Sequence, residues 1–157
     1  MSVAFRRESD EEHKEPTFEI PIAPGPNLVT ERGRRLMEER LAALDAAIAS
    51  ADEAATAPLK REQRYWQTRR MTAVVVPPPP GDEVAFGSRV TIRTGAGERT
   101  VTIVGADEAD PATDRVGFQA PLARALIGAG VGDRVAFGGV EAAIEVLAVG
   151  PGADAAA

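Results

Sequence analysis

The sequence contains no cysteine and one histidine, His13, and aromatic residues make up only 4% of its 157 positions. Without thiols there is no disulfide and no thiolate metal site, and a lone imidazole cannot form a histidine cluster. Carboxylates are the only ligands left for a metal, and they favour hard cations. There is no apolar run of about 18 residues and no basic-then-apolar leader, so a soluble cytoplasmic protein is expected. With 44% hydrophobic residues and few rings, any core must rest on Val, Ile, Leu and Ala. No Ser/His/Asp set, phosphate loop or metal-ligand spacing is present, and the expectation is a protein that is not an enzyme.

The formal net charge is −6, unevenly spread. Residues 1–30 carry six acids and three bases, residues 31–73 seven and nine, and residues 81–157 eleven and six. Only the middle segment is basic. A chain so acidic overall is poorly suited to direct duplex binding, which needs a concentrated positive face. A protein partner is the better expectation.

Residues 1–29 read as an extended or disordered tail. Glu8 to Glu15 is densely charged, and Pro16, Pro21, Pro24 and Pro26 break any period. His13 among the acids reads as a solvated side chain, and Phe18, Ile20 and Ile22 as at most a strand-like contact strip. Thr30 is a suitable N-cap for a helix reaching about Ala55. Met37, Leu41, Leu44 and Ile48 form its apolar seam. Pro58 suits the first turn of a second helix ending near Ala73, roughly 24 Å long at 1.5 Å per residue. Leu59, Trp66 and Ala73, with Tyr65 near them, would face the first seam, and Gln63 and Arg70 interrupt this second helix's apolar stripe. Residues 30–76 are therefore expected to be a helical hairpin connected around Asp52 to Pro58. Pro77 to Pro80, within a linker at 77–81, reads as a stiff connector.

Residues 82–150 change period. Val90 and Ile92 alternate with Arg89, Thr91 and Arg93, and Val101, Ile103 and Val104 follow the same pattern, which predicts two strands with one buried face. Thr94 to Glu98 supplies glycines for the turn between them. Asp107, Glu108 and Asp110 follow on a loop that reads as a surface acidic knob. Pro121 opens a short helix with Leu122, Leu126 and Ile127 expected in the core, Arg124 outward and Gly128 as its stop. Val135 to Phe137 and Ala143 to Val149 are the closing strands about a Gly138-Gly139 turn, and 151–157 read as a disordered end.

The words FGS, IVGADEAD and APLARALIGAGVGD occur in order and at fitting spacing, and they resemble the C-terminal domain of the Gre family of bacterial transcription elongation factors. PNLVTERGRRLMEERLAAL and RYWQTRRMTAVVV resemble the two ends of that family's N-terminal coiled coil. The fold implied is α+β: an antiparallel helical hairpin, then an FKBP-like antiparallel sheet with one short helix. Prolyl isomerase activity is not implied, because Phe86, Phe118 and Phe137 are the only aromatics in the domain.

The resemblance implies a monomer that docks on bacterial RNA polymerase at the rim of the secondary channel and meets nucleic acid only through the transcription complex. Docking would fall on Asp107, Glu108, Asp110, Pro121 and Arg124. Family members stimulate cleavage of backtracked RNA with acidic tip residues that help hold magnesium in the polymerase active site. The matching carboxylates are Asp52 and Glu53, and no cofactor would belong to the free protein. The sequence departs from the family at this tip: Asp52 and Glu53 are adjacent, about 100° apart on a helix, and the family's Asn-Ala-Glu-Tyr word is missing. The alternative implied is a non-cleaving regulator of the nucleoside-diphosphate-kinase-regulator type that occupies the channel.

Overall fold

The structure, a computed structural model, describes residues 19–152. The expectations for His13, Phe18 and the last five residues lie outside the described residues.

Thr30 caps α1 (Glu31–Ser50): its hydroxyl accepts from Gly33 N at 3.0 Å. Met37 and Leu44 are buried along the predicted seam, with Leu41 and Ile48 half-buried. The connection is shorter than the sequence suggests. Asp52 already caps α2 (Glu53–Thr72), accepting from Ala55 N at 2.8 Å, so only Ala51 and Asp52 separate the helices. Pro58 consequently lies in the second turn of α2 rather than the first. Having no N–H, it cannot donate to the Ala54 carbonyl, a defect placed near the exposed end. Each arm has 20 residues, roughly 30 Å rather than 24 Å.

The polar interruptions of the α2 stripe are cross-links. Gln63 Nε2 donates to Asp45 Oδ1 at 2.5 Å, Glu62 pairs with Arg40, and Arg70 lies 3.8 Å from Glu38. The buried residue of α2 is charged: Arg69, 5% exposed. Below the hairpin, β1 (Leu28–Val29) pairs in parallel with β2 (Val74–Val75). Asn27 and Val29 are buried, so the extended tail stops short of them. The proline run is not a free spacer, since Pro78 and Pro79 are half-buried and Val76 packs on the sheet core.

The sheet comprises β3 (Ser88–Thr94), β4 (Gly97–Val104), β5 (Arg115–Gly117), β6 (Arg134–Phe137) and β7 (Val140–Pro151), ordered β5-β4-β3-β7-β6. Every pairing is antiparallel except β4 with β5. Thr94 pairs with Gly97, and Gly97 takes a positive φ of 116° that favours glycine. Val90, Ile92, Val101, Ile103, Ile144 and Val146 are at most 1% exposed and pack beneath α3 (Pro121–Leu126). Phe86 and Phe118 meet edge to face with centroids 5.5 Å apart. Leu126 and Ala123 point inward, whereas Ile127, expected in the core, is 43% exposed. The reason is local: Ile127 is the C-cap, already outside helical geometry at ψ 128°, and Gly128 follows with φ 94°.

Candidate functional site

Where the hairpin meets the sheet, two acids from the loop after β4 are fully engaged. Glu108, 5% exposed, accepts from Thr30 Oγ1 at 2.5 Å through Oε1, and from Thr30 N at 3.1 Å and Gly105 N at 3.2 Å through Oε2. The same threonine hydroxyl caps α1. One carboxylate thus fastens the end of β4 to the start of the hairpin. Gly33 makes room for it, since a Cβ there would stand 2.5 Å from Glu108 Cδ, and Gly105 admits the neighbouring strand, since a Cβ there would stand 2.6 Å from the Leu28 carbonyl oxygen.

Asp107 binds the other arm. Its Oδ1 accepts from the Tyr65 hydroxyl and its Oδ2 from Arg69 Nε, both at 2.6 Å. The Asp107 and Arg69 side chains are 13% and 6% exposed, so the pair is largely shielded from solvent. Asn27 Nδ2 completes the junction by donating to Arg69 O at 2.7 Å. The Tyr65 hydroxyl is pushed up to about 12, first by burial and then by its bond to Asp107 and that carboxylate's charge. A phenol raised on folding keeps its stabilising effect below its unfolded value near 10 and loses it as pH rises through the folded value. Alkaline unfolding monitored between pH 10 and 12 is expected to show this loss in the parent chain. Tyr65→Phe should flatten that part of the profile.

These contacts correct the expectation of a surface acidic knob, because Asp107 and Glu108 face the hairpin instead of solvent. Asp110 is half-buried and caps the turn Pro111–Thr113, accepting from Ala112 N at 3.1 Å. Pro121, at the first position of α3, and Arg124 are exposed. The five residues singled out on this domain therefore divide into a junction pair and three nearer the surface. Sequence reading missed Thr30, Gly33, Tyr65 and Arg69 as partners of that pair.

Asp52 and Glu53 lie at the opposite end of the hairpin. Tyr65 is twelve residues along α2 from Glu53, roughly 18 Å of helix, so tip and junction are separate places. Asp52 Oδ1 makes the α2 cap, and both Asp52 and Glu53, at the first helical position, are exposed. Among the described residues no group of three or more His, Cys, Asp or Glu is arranged to hold a metal ion. Asp52→Ala should cost about 1 kcal/mol through loss of the cap, read as a lower urea midpoint. Asp52→Asn should restore most of that stability.

A family model described as "Transcription elongation factor, GreA/GreB, C-term" matches residues 79–151. The chain is similar to transcription elongation factor GreB of Neisseria meningitidis serogroup A, 45% identical over 71 residues, which cover 43% of this chain and 44% of that one. It is also similar to GreA of Rhizobium etli, 36% identical over 86 residues, covering 52% and 54%. The matches thus span about half the length, or less, of those relatives. Among solved structures, the Gfh1 protein of Thermus thermophilus aligns with TM-score 0.39 and 18% identity, over 80% of this chain and 99% of that one. A GreA/GreB factor from Nitrosomonas europaea gives 0.38 and 22%, over 78% and 97%. Residues 79–151 are thus similar to the C-terminal domain of GreA/GreB transcription elongation factors.

Proposed function

We propose that this protein is a transcription elongation regulator that binds bacterial RNA polymerase through residues 79–151 and directs its hairpin towards the secondary channel. It acts as a monomer in the cytoplasm, carries no cofactor and is not itself an enzyme. Magnesium in this reading belongs to the polymerase. The observation that carries the reading is the fastening of a family docking domain to a helical arm by Glu108 and Asp107. A partner held by the domain would have the arm presented in a defined direction.

With Asp107 and Glu108 engaged, polymerase docking is assigned to Asp110, Pro121 and Arg124. Occupying the channel without supplying cleavage carboxylates is favoured over cleavage by one feature: Asp52 is bound to its own helix. Backtracked elongation complexes provide the test. The full chain should bind them and reduce cleavage stimulated by an added cleavage-competent Gre factor, and a Glu53→Ala variant should do the same. Stimulation of cleavage by the chain itself, lost on Asp52→Asn or Glu53→Ala, would establish the cleaving alternative.

A further inference from the structure

The segment before β1 runs along α2 in a definite direction. Asn27 meets Arg69 and Thr72 near the base of the hairpin. Ile20 lines a groove of about 570 Å³ with Pro58, Arg61, Tyr65 and Trp66. Glu19 accepts from Arg64 through both carboxylate oxygens, at 3.0 Å from Nε and 2.7 Å from Nη2. Falling residue number in this segment therefore follows falling residue number in α2, towards the tip.

Ahead on that path, among the described residues, stand two further cations, Lys60 and Arg61. Lys60 is exposed, and Arg61 Nε is buried without a hydrogen-bond partner. Glu62, the acid beside them, is paired with Arg40 of α1. In the sequence, the residues preceding Glu19 include Glu8, Asp10, Glu11, Glu12 and Glu15, with Lys14 the only base in that run. Four residues reach at most about 14 Å, whereas Arg61 and Lys60 are only roughly 4.5 and 6 Å along the helix from Arg64. Charge, direction and reach agree.

We infer that the acidic segment of residues 8–15 docks on the Lys60, Arg61 and Arg64 flank of α2, continuing the path of Ile20 and Glu19. The docked segment covers the basic side of the hairpin and competes there with a polyanion such as a nucleic-acid backbone. Its hold is electrostatic, so raising salt from about 0.01 to 1 M, which shortens the screening length from about 30 to 3 Å, releases it.

The absence of cysteine makes a direct test simple, since Ser9→Cys gives a single site for a spin label in the full chain. At low salt the label should broaden the backbone amides of Ala57, Lys60, Arg61 and Arg64 selectively, and high salt should restore them. Reversing the three cations in K60E/R61E/R64E should lower the docked-to-free ratio about tenfold or more. Replacing the acids in E8Q/D10N/E11Q/E12Q/E15Q should do likewise, with no risk to the helices themselves. No broadening at low salt, or broadening spread over the sheet, would overturn the inference. So would broadening of an isotope-labelled chain by a separate spin-labelled one, which would make the occupant a second copy.

Discussion

Glu108→Ala is expected to lower the stability of the folded chain by about 3 kcal/mol, because it strands buried donors that water cannot reach. Thr30 N, Thr30 Oγ1 and Gly105 N all donate to this one carboxylate, and Arg32 Nη1 lies 3.9 Å from Oε1. The truncation also removes the clasp between β4 and α1. Urea denaturation should show the midpoint falling with little change in slope. Glu108→Gln keeps one acceptor oxygen and should lose roughly half as much. A loss below about 0.5 kcal/mol for the alanine variant, the range typical of surface substitutions, would mean that the junction contributes little.

Gly33→Ala is the second large effect, and its sign runs against helix propensity. In an unobstructed helix interior, alanine in place of glycine stabilises by about 1 kcal/mol. Gly33 is buried in the first turn of α1, and its added Cβ would sit 2.5 Å from Glu108 Cδ. That is far inside contact distance for a carboxylate held by three hydrogen bonds. The outcome expected is a net loss of about 2 kcal/mol, read as a lower thermal midpoint. Gly95→Ala is the control, because nothing lies within 4 Å of its added Cβ and its φ is not positive. It should be nearly neutral, and combining Gly33→Ala with Glu108→Ala should cost less than the sum of the two.

The parts of this fold legible from sequence were those set by local rules. Val90, Ile92, Val101 and Ile103 alternate at strand period and are all buried. Thr30 caps the first helix as its hydroxyl suggested, and Gly138 and Gly139 take the positive φ values a tight turn needs. What escaped depends on partners far away in the chain. The Glu108 carboxylate meets Thr30 across 78 positions, so three nearby acids looked like one solvated cluster. Arg69 is enclosed by Asp107 and Asn27, partners 38 and 42 positions away that no local pattern connects to it. The β1 and β2 strands are two residues each, too short to show a period. A faint signal did exist for the junction: Gly33 lies three residues after the cap Thr30, and Gly105 three residues before Glu108.

The tip followed the same division. That Asp52 could act as a cap was available from its residue type, but its position depended on the length of the turn between the helices. Pro58 drew the expected start of α2 too far along the chain. The cap at Asp52 overrides that signal.

The proposed role is delivery of a fastened helical arm to RNA polymerase by a domain similar to the GreA/GreB C-terminal domain. Equilibrium binding of the fluorescently labelled full chain to core RNA polymerase at low salt tests it most directly, with an unlabelled Gre factor added as competitor. Saturable binding that the competitor displaces is the predicted result. Absence of binding by the folded chain, or binding that the competitor leaves untouched, would contradict it.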